Sequence, residues 1–146
     1  MPDTNVIQMN TLSLAAAQRV TEGCISAAQS EGLAVCIAVC DPSGEPIVTV
    51  RMDGAPRLCA EVALNKAYTV AAFKGLPTHA WWPAIADDPA LVHGFTKTSR
   101  LVIFAGGVPV RIDGAVVGAV GVSGGSSEQD RVIAEAGVAK LSATPA

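Results

Sequence analysis

From Leu33 to Cys40 every residue is apolar, and large side chains alternate with small ones. Leu33, Val35, Ile37 and Val39 fall on one face of an extended chain, and Ala34, Cys36, Ala38 and Cys40 on the other. The run reads as a strand covered on both sides, with another element lying close against its small face. Asp41-Pro42-Ser43-Gly44 is a turn sequence, and Glu45 to Met52 reads as the return strand of an antiparallel hairpin. Upstream, Ser13 is placed to cap an amphipathic helix over Leu14 to Ser30. Its apolar stripe is Ala16, Val20, Cys24 and Ala27, and Gly32 stops it.

Past the loop Asp53-Gly54-Ala55-Pro56, residues Arg57 to Lys74 predict a second helix, stopped by Gly75-Leu76-Pro77. Thr78 opens a short helix that Asp87-Asp88-Pro89 ends near Ala86. Ala90 to Arg100 predicts one more turn and then loop. Leu101 to Phe104 predicts a short strand. Val108 to Ile112 and Ala115 to Val122 predict two more strands, joined by the hairpin signal Asp113-Gly114. Gly118 and Gly121 thin the last strand where a backbone or ligand approaches. Gly124-Gly125 turns the chain, Ser126 and Gln129 form a capping box, and a final helix runs to about Leu141. Met1 to Thr11 reads as a flexible N-terminal arm, and residues 12–146 as one domain with a frayed end from Ser142. Because hairpins dominate, the fold class is α/β in the α+β sense, an antiparallel sheet with helices on its faces.

Composition sharpens this picture. Half of the 146 residues are apolar, yet only 16% are charged and 4% aromatic, against about 25% charged in ordinary domains. So few charges predict that part of the surface is covered by another subunit, in a homo-oligomer. The formal net charge of −3 and the lack of any basic run argue against nucleic acid. No apolar run reaches the ~18 residues a membrane helix needs, so no membrane partner is expected. Met1 to Asn10 has neither a basic stretch nor an apolar one of signal-peptide type, and a cytoplasmic protein is expected. Cys36 and Cys40 stand four apart on a strand, with Cα atoms roughly 13 Å apart. They form neither a disulfide nor half of a metal site, and the four cysteines read as small buried hydrophobes in a reducing compartment.

Among residues that carry chemistry, Lys66 is the most informative. At helical spacing it shares a stripe with Cys59, Val62, Thr69 and Phe73. A lysine there must snorkel out, pair with a carboxylate, or face a cavity where it holds an acidic ligand. Arg51 ends a strand just before Asp53, which suits either carboxylate recognition or an internal pair with Asp53 or Glu61. His79 and His93 are the only histidines, and Trp81-Trp82 stands beside the first. Either tryptophan could stack on a flat ligand or sit in a subunit interface. Two histidines 14 apart without a near cysteine make no ordinary zinc site, so no metal is expected. Gly121-Val122-Ser123-Gly124-Gly125 matches the G-x-S-x-G of a nucleophile elbow. No histidine follows it, and a tight turn into a capped helix explains it better. Anion binding at that helix start competes with the Ser126–Gln129 box and with the negative charges of Glu128 and Asp130.

Arg51-Met52-Asp53-Gly54-Ala55, ALNKAYTVAAF (residues 63–73), Gly106-Gly107-Val108-Pro109-Val110 and GAVGVSGGSSEQD (residues 118–130) occur in this order. Together they resemble the GlcG/HbpS family, haem-binding-protein-like domains related to the C-terminal domain of PduO, over about residues 12 to 141. The resemblance implies a five-stranded antiparallel sheet flanked by helices, a profilin-like layered sandwich, assembled as a dimer or ring of dimers. Its pattern carries Arg51, Asp53, Lys66, Gly107, Pro109, Ser123, Glu128 and Asp130, most of them structural or pocket-lining. It implies haem or corrinoid binding, or a place beside catabolic enzymes. The segment from Thr78 to Arg100, with Trp81, Trp82, Asp87, Asp88, His93 and Phe95, is richer than that pattern.

Two readings follow. In the first the protein binds a small ligand, haem or a related tetrapyrrole. Arg51, Asp53, Lys66, Thr69, His79, Trp82 and His93 would line the site; Lys66 or Arg51 would hold a propionate, and His79 or His93 would be the axial residue. In the alternative it is a cofactor-independent lyase, isomerase or hydrolase in a catabolic pathway, acting on a small carboxylate or carbonyl compound. There Lys66 and Arg51 would bind the substrate, and Glu61 or a histidine would move a proton. A structural or regulatory oligomer without a ligand is the third possibility.

Overall fold

The computed structural model describes residues 4–142. Strand β1 (Cys36–Cys40) pairs antiparallel with β2 (Pro46–Arg51) on one side and β4 (Ala115–Ser123) on the other, and β3 (Gly107–Ile112) lies outside β4. The sheet order is β2-β1-β4-β3. Helices α1 (Leu14–Ser30) and α5 (Ser127–Ser142) cover one face, and α2 (Leu58–Ala72) lies against the other. A 3-10 turn (Thr78–Ala80), α3 (Trp81–Ile85) and α4 (Pro89–Phe95) form the connection from α2 towards β3.

The alternation in the first strand decides which layer goes where. Val35, Ile37 and Val39 join Val20, Cys24, Ile133 and Ala134 in a cluster beneath α1 and α5. Cys36, Ala38 and Cys40 meet Ala63, Ala67 and Val70 of α2. The small face exists because a helix backbone passes over it. A Cβ added to Gly121 would fall on the Ala63 carbonyl oxygen and come 2.7 Å from the Ala67 nitrogen. Close-packed interiors leave no slack for such an atom.

Local signals decide most of the ends. Ser13 Oγ accepts from the Ala16 N–H at 3.1 Å. Asp41 Oδ1 accepts from Ser43 and Glu45 in the β1–β2 turn. Asp113 and Gly114 both take positive φ, 50° and 80°, as a primed hairpin turn requires. Ser126 and Gln129 bond reciprocally at 2.9 and 3.1 Å. Three expectations are corrected. The first strand begins at Cys36: the Val35 carbonyl still accepts from the Met52 N–H in register, but the Val35 N–H goes to Met52 Sδ at 3.5 Å, so the ladder closes no further. Pro89 starts α4, with Asp88 as its cap, and the helix runs to Phe95.

The third correction is that Leu101 to Phe104 is not a strand, so the sheet has four strands and not five. The Val102 N–H is taken by Thr69 Oγ1 at 3.0 Å, and the same hydroxyl faces the Arg100 carbonyl at 3.1 Å. With a side chain taking it, the Val102 N–H is not offered to a ladder. Of the N-terminal arm, residues 4–11 are exposed and irregular, while residues 1–3 lie outside the described residues, as do 143–146 at the other end. No described helix is long and apolar enough to cross a membrane.

All four cysteines are free thiols. Burial pushes the Cys24 and Cys40 thiols up to about 12 and raises that of Cys36 as well. Thiolate is the reactive form, and Cys59 is only half-buried. Native protein titrated with a disulfide reagent near neutral pH is therefore expected to show fast reaction at Cys59 alone, with the other three reacting after unfolding. Equal rates at all four would contradict the packing of α2 on β1.

Candidate functional site

Lys66 is the largest fully buried side chain among the described residues, with 1% of its surface exposed. It sits in the middle of α2, on the face turned to β4. Its ammonium donates to the Val122 carbonyl oxygen at 2.8 Å and to Asp130 Oδ2 at 3.0 Å. Asp130 stands in the first turn of α5, and its other oxygen accepts from the Gly125 N–H at 2.8 Å. One carboxylate thus joins the turn after β4, the start of α5 and the centre of α2. Of the three options open to a lysine in an apolar stripe, the structure shows the internal ion pair. Burial lowers the Lys66 proton affinity, and the Asp130 carboxylate opposes that shift. The Phe104 ring lies over the ammonium, its centroid 5.0 Å from Nζ.

The same ring also borders a groove. Phe104 lines it together with His79, Trp82, Ile103 and Ala105, around a volume of about 370 Å³. That falls at the small end of ligand pockets. The walls are mostly apolar, with one imidazole. His79 Nδ1 is buried and has no hydrogen-bond partner, and Trp81 Nε1 beside it is in the same condition. Burial lowers the His79 proton affinity, the positive charge of Arg131 lowers it further, and Glu135 and Glu128 oppose this. The ring is therefore neutral at pH 7. Trp82 and Phe104 are each 53% exposed, so two aromatic faces at the groove are only half covered. Trp81 is buried between Phe73 and Phe95, with ring centroids at 4.9 and 5.0 Å.

The remaining nominated residues do not converge here. Arg51 and Asp53 are exposed at the end of β2 and border an open hollow of about 590 Å³ with Leu33, Ala34 and Gln29. Glu61 is exposed in the first turn of α2, and His93 is exposed in the last turn of α4. Thr69 is buried, and its hydroxyl serves the Arg100–Val102 segment. A further hollow of about 530 Å³ lies among residues 9–13, Arg19 and the β3–β4 turn. It holds none of the nominated residues. The His79 groove is smaller than either, but it alone joins an imidazole, open aromatic faces and the cover of a buried charge. Among the described residues no three His, Cys, Asp or Glu side chains stand close enough to hold a metal ion.

Of the residues expected from the sequence, His79 and Trp82 border the groove and Lys66 is paired internally under Phe104; the contacts of Asp130 and Phe104 were not foreseen. Asp130 was legible as a helix-start charge. The signal for its second part was its position just past the strand that lies under Lys66. Phe104 was assigned to a strand, and no local pattern marks it as a cover.

Comparison with known proteins supplies a frame. Residues 12–139 match the family described as Haem degrading protein HbpS-like. A 15.0 kDa protein from the dhaT-dhaS intergenic region of Citrobacter freundii is 39% identical over 130 residues, which cover 88% of this chain and 90% of that one. The structure of a double mutant of Streptomyces reticuli HbpS superposes with a TM-score of 0.84 at 32% identity, covering 97% of this chain and 94% of the other. A structure described as a PduOC:Heme complex superposes with a TM-score of 0.81 at 30% identity, covering 89% and 94%.

Proposed function

This chain belongs to the HbpS-like family, and from that premise we propose that it is a small-ligand-binding protein whose ligand, haem or a related tetrapyrrole, lies in the groove beside His79. The observation that carries the reading is that His79 brings a neutral imidazole, with a ring nitrogen to offer, to an apolar groove. Haem, when bound, supplies an iron centre that accepts such a nitrogen. Trp82 and Phe104 offer faces for a flat macrocycle. The haem complex formed by a relative of similar fold supports the same ligand class. His79 is favoured over His93 as the axial residue, because His93 does not border the groove.

The enzyme reading receives less support. Arg51, Glu61 and Lys66 stand in three different surroundings, and the Lys66 charge is already balanced. Leu58 and Phe73, exposed at the two ends of α2, support assembly as a homo-oligomer.

Titrating hemin into the full chain and recording the Soret band tests the ligand. A saturable shift is expected, abolished in His79→Ala and retained in His93→Ala. No shift in the wild-type chain would sink the reading, and a shift that survives His79→Ala would sink the axial assignment. The sign of the pH dependence follows from the lowered His79 proton affinity. Nitrogen free to bind iron is fully present above the ordinary histidine value of 6.5 and is lost as pH falls through the depressed one. The band should therefore persist at pH 6.5 and fade only at lower pH.

A further inference from the structure

An ammonium group has three protons to donate, and the chain supplies Lys66 with two oxygen acceptors, from Val122 and Asp130. What covers the rest of the ammonium is the Phe104 ring and the Gly106 backbone. A Cβ added to Gly106 would come 2.6 Å from Nζ, at a φ of +127° that favours glycine. An aromatic face attracts a cation, but it is a poorer partner for the last N–H than an oxygen. Phe104 is also the side chain common to both places, its ring over the ammonium and on the wall of the groove. More than half of its surface is unpacked, and it belongs to a segment outside the sheet ladder.

We propose that Phe104 is a displaceable cover, and that beneath it Lys66 donates its third N–H as a hydrogen bond to a neutral carbonyl oxygen of the ligand in the groove. Charge selects the carbonyl. Lys66 and Asp130 already cancel, with side chains 1% and 4% exposed. A carboxylate seated there would add a second negative charge beside Asp130 in a poorly hydrated place, where like charges repel strongly. A carbonyl adds no net charge and accepts the hydrogen bond equally well in geometry. The site thus takes a flat apolar molecule with a carbonyl at its edge, and Lys66 polarises that carbonyl by hydrogen bonding. The inference rests on the groove being the ligand site and not on haem itself, whose edge oxygens are propionate carboxylates; among tetrapyrroles it selects one that carries a neutral carbonyl at its edge.

The test uses the full chain and two probes of like size, acetophenone and benzoate. Acetic anhydride labelling is mapped by mass spectrometry, with exposed Lys74, Lys97 and Lys140 as internal controls. Labelling through an opening follows the population of the open form, so Phe104→Ala is expected to raise the Lys66 rate about tenfold or more and leave the controls unchanged. Phe104→Leu, which keeps an apolar cover without an aromatic face, should fall between. Acetophenone should slow Lys66 labelling in Phe104→Ala, and benzoate should not. A Lys66 rate unchanged in both variants would overturn the cover, and equal protection by benzoate would overturn the carbonyl assignment. A hemin band with an unchanged labelling rate sinks the cover alone. Raised, acetophenone-sensitive labelling without a hemin band sinks the haem reading alone.

Discussion

Asp130→Ala is expected to lower the unfolding free energy by about 3–5 kcal/mol, the usual cost of removing one partner from a buried ion pair. The substitution leaves the Lys66 ammonium almost wholly buried with only the Val122 carbonyl as an oxygen acceptor. It also strips the Gly125 N–H of its acceptor. For a chain of this length the thermal midpoint should fall on the order of 10 °C. Desolvation and pairing can be separated with the double variant Lys66→Met plus Asp130→Leu. Replacing both charges by apolar groups of similar volume is often neutral, so most of the loss should return. About 1–2 kcal/mol should remain lost for the orphaned Gly125 N–H. Urea unfolding of the wild type, Lys66→Met, Asp130→Leu and the double variant gives the coupling energy. A single-variant cost under about 1 kcal/mol would mean that the pair is solvated as surface pairs are.

The same pair shows how far the sequence could be read. Alternation along Leu33–Cys40 correctly assigned the large face to one layer and the small face to another, because strand side chains obey a local period of two. Ser13, Asp113-Gly114 and the Ser126–Gln129 box were legible for the same reason: each is a bond between residues close in the chain. Lys66 was legible only as a question. Its answer, Asp130, lies 64 residues away, and Asp130 already had a sufficient local explanation at the start of α5. Leu101–Phe104 misled in the opposite direction. Its apolar run has the composition of a strand, but Thr69, more than 30 residues earlier, takes the Val102 N–H. What was lost in both cases was a contact whose two halves each look ordinary alone. The groove is hidden likewise, since His79, Trp82 and Phe104 meet only after α3 folds beside the segment that leads into β3.

Gly121→Ala should be the most damaging single-methyl addition in the sheet, and it tests the layer that positions Lys66. The new Cβ would land on the Ala63 carbonyl oxygen, 2.7 Å from the Ala67 nitrogen and 3.0 Å from the Lys66 Cβ. Two of these three atoms are helix backbone, which cannot step aside by changing rotamer. Relief requires α2 to lift from β4, and lifting α2 draws the Lys66 ammonium away from Val122 and Asp130. Overpacking typically costs about 1–3 kcal/mol, and the added strain on the ion pair puts the expected loss at about 3 kcal/mol or more. Gly94→Ala is the matched control. Gly94 lies in α4 with nothing within 4 Å of its added Cβ, and alanine is favoured over glycine in a helix by roughly 0.5–1 kcal/mol. Thermal unfolding of the two variants should therefore move in opposite directions from the same chemical change. If Gly121→Ala melted with the wild type, α2 would not pass over the small face as closely as the structure has it, and the burial of Lys66 would lose its cause.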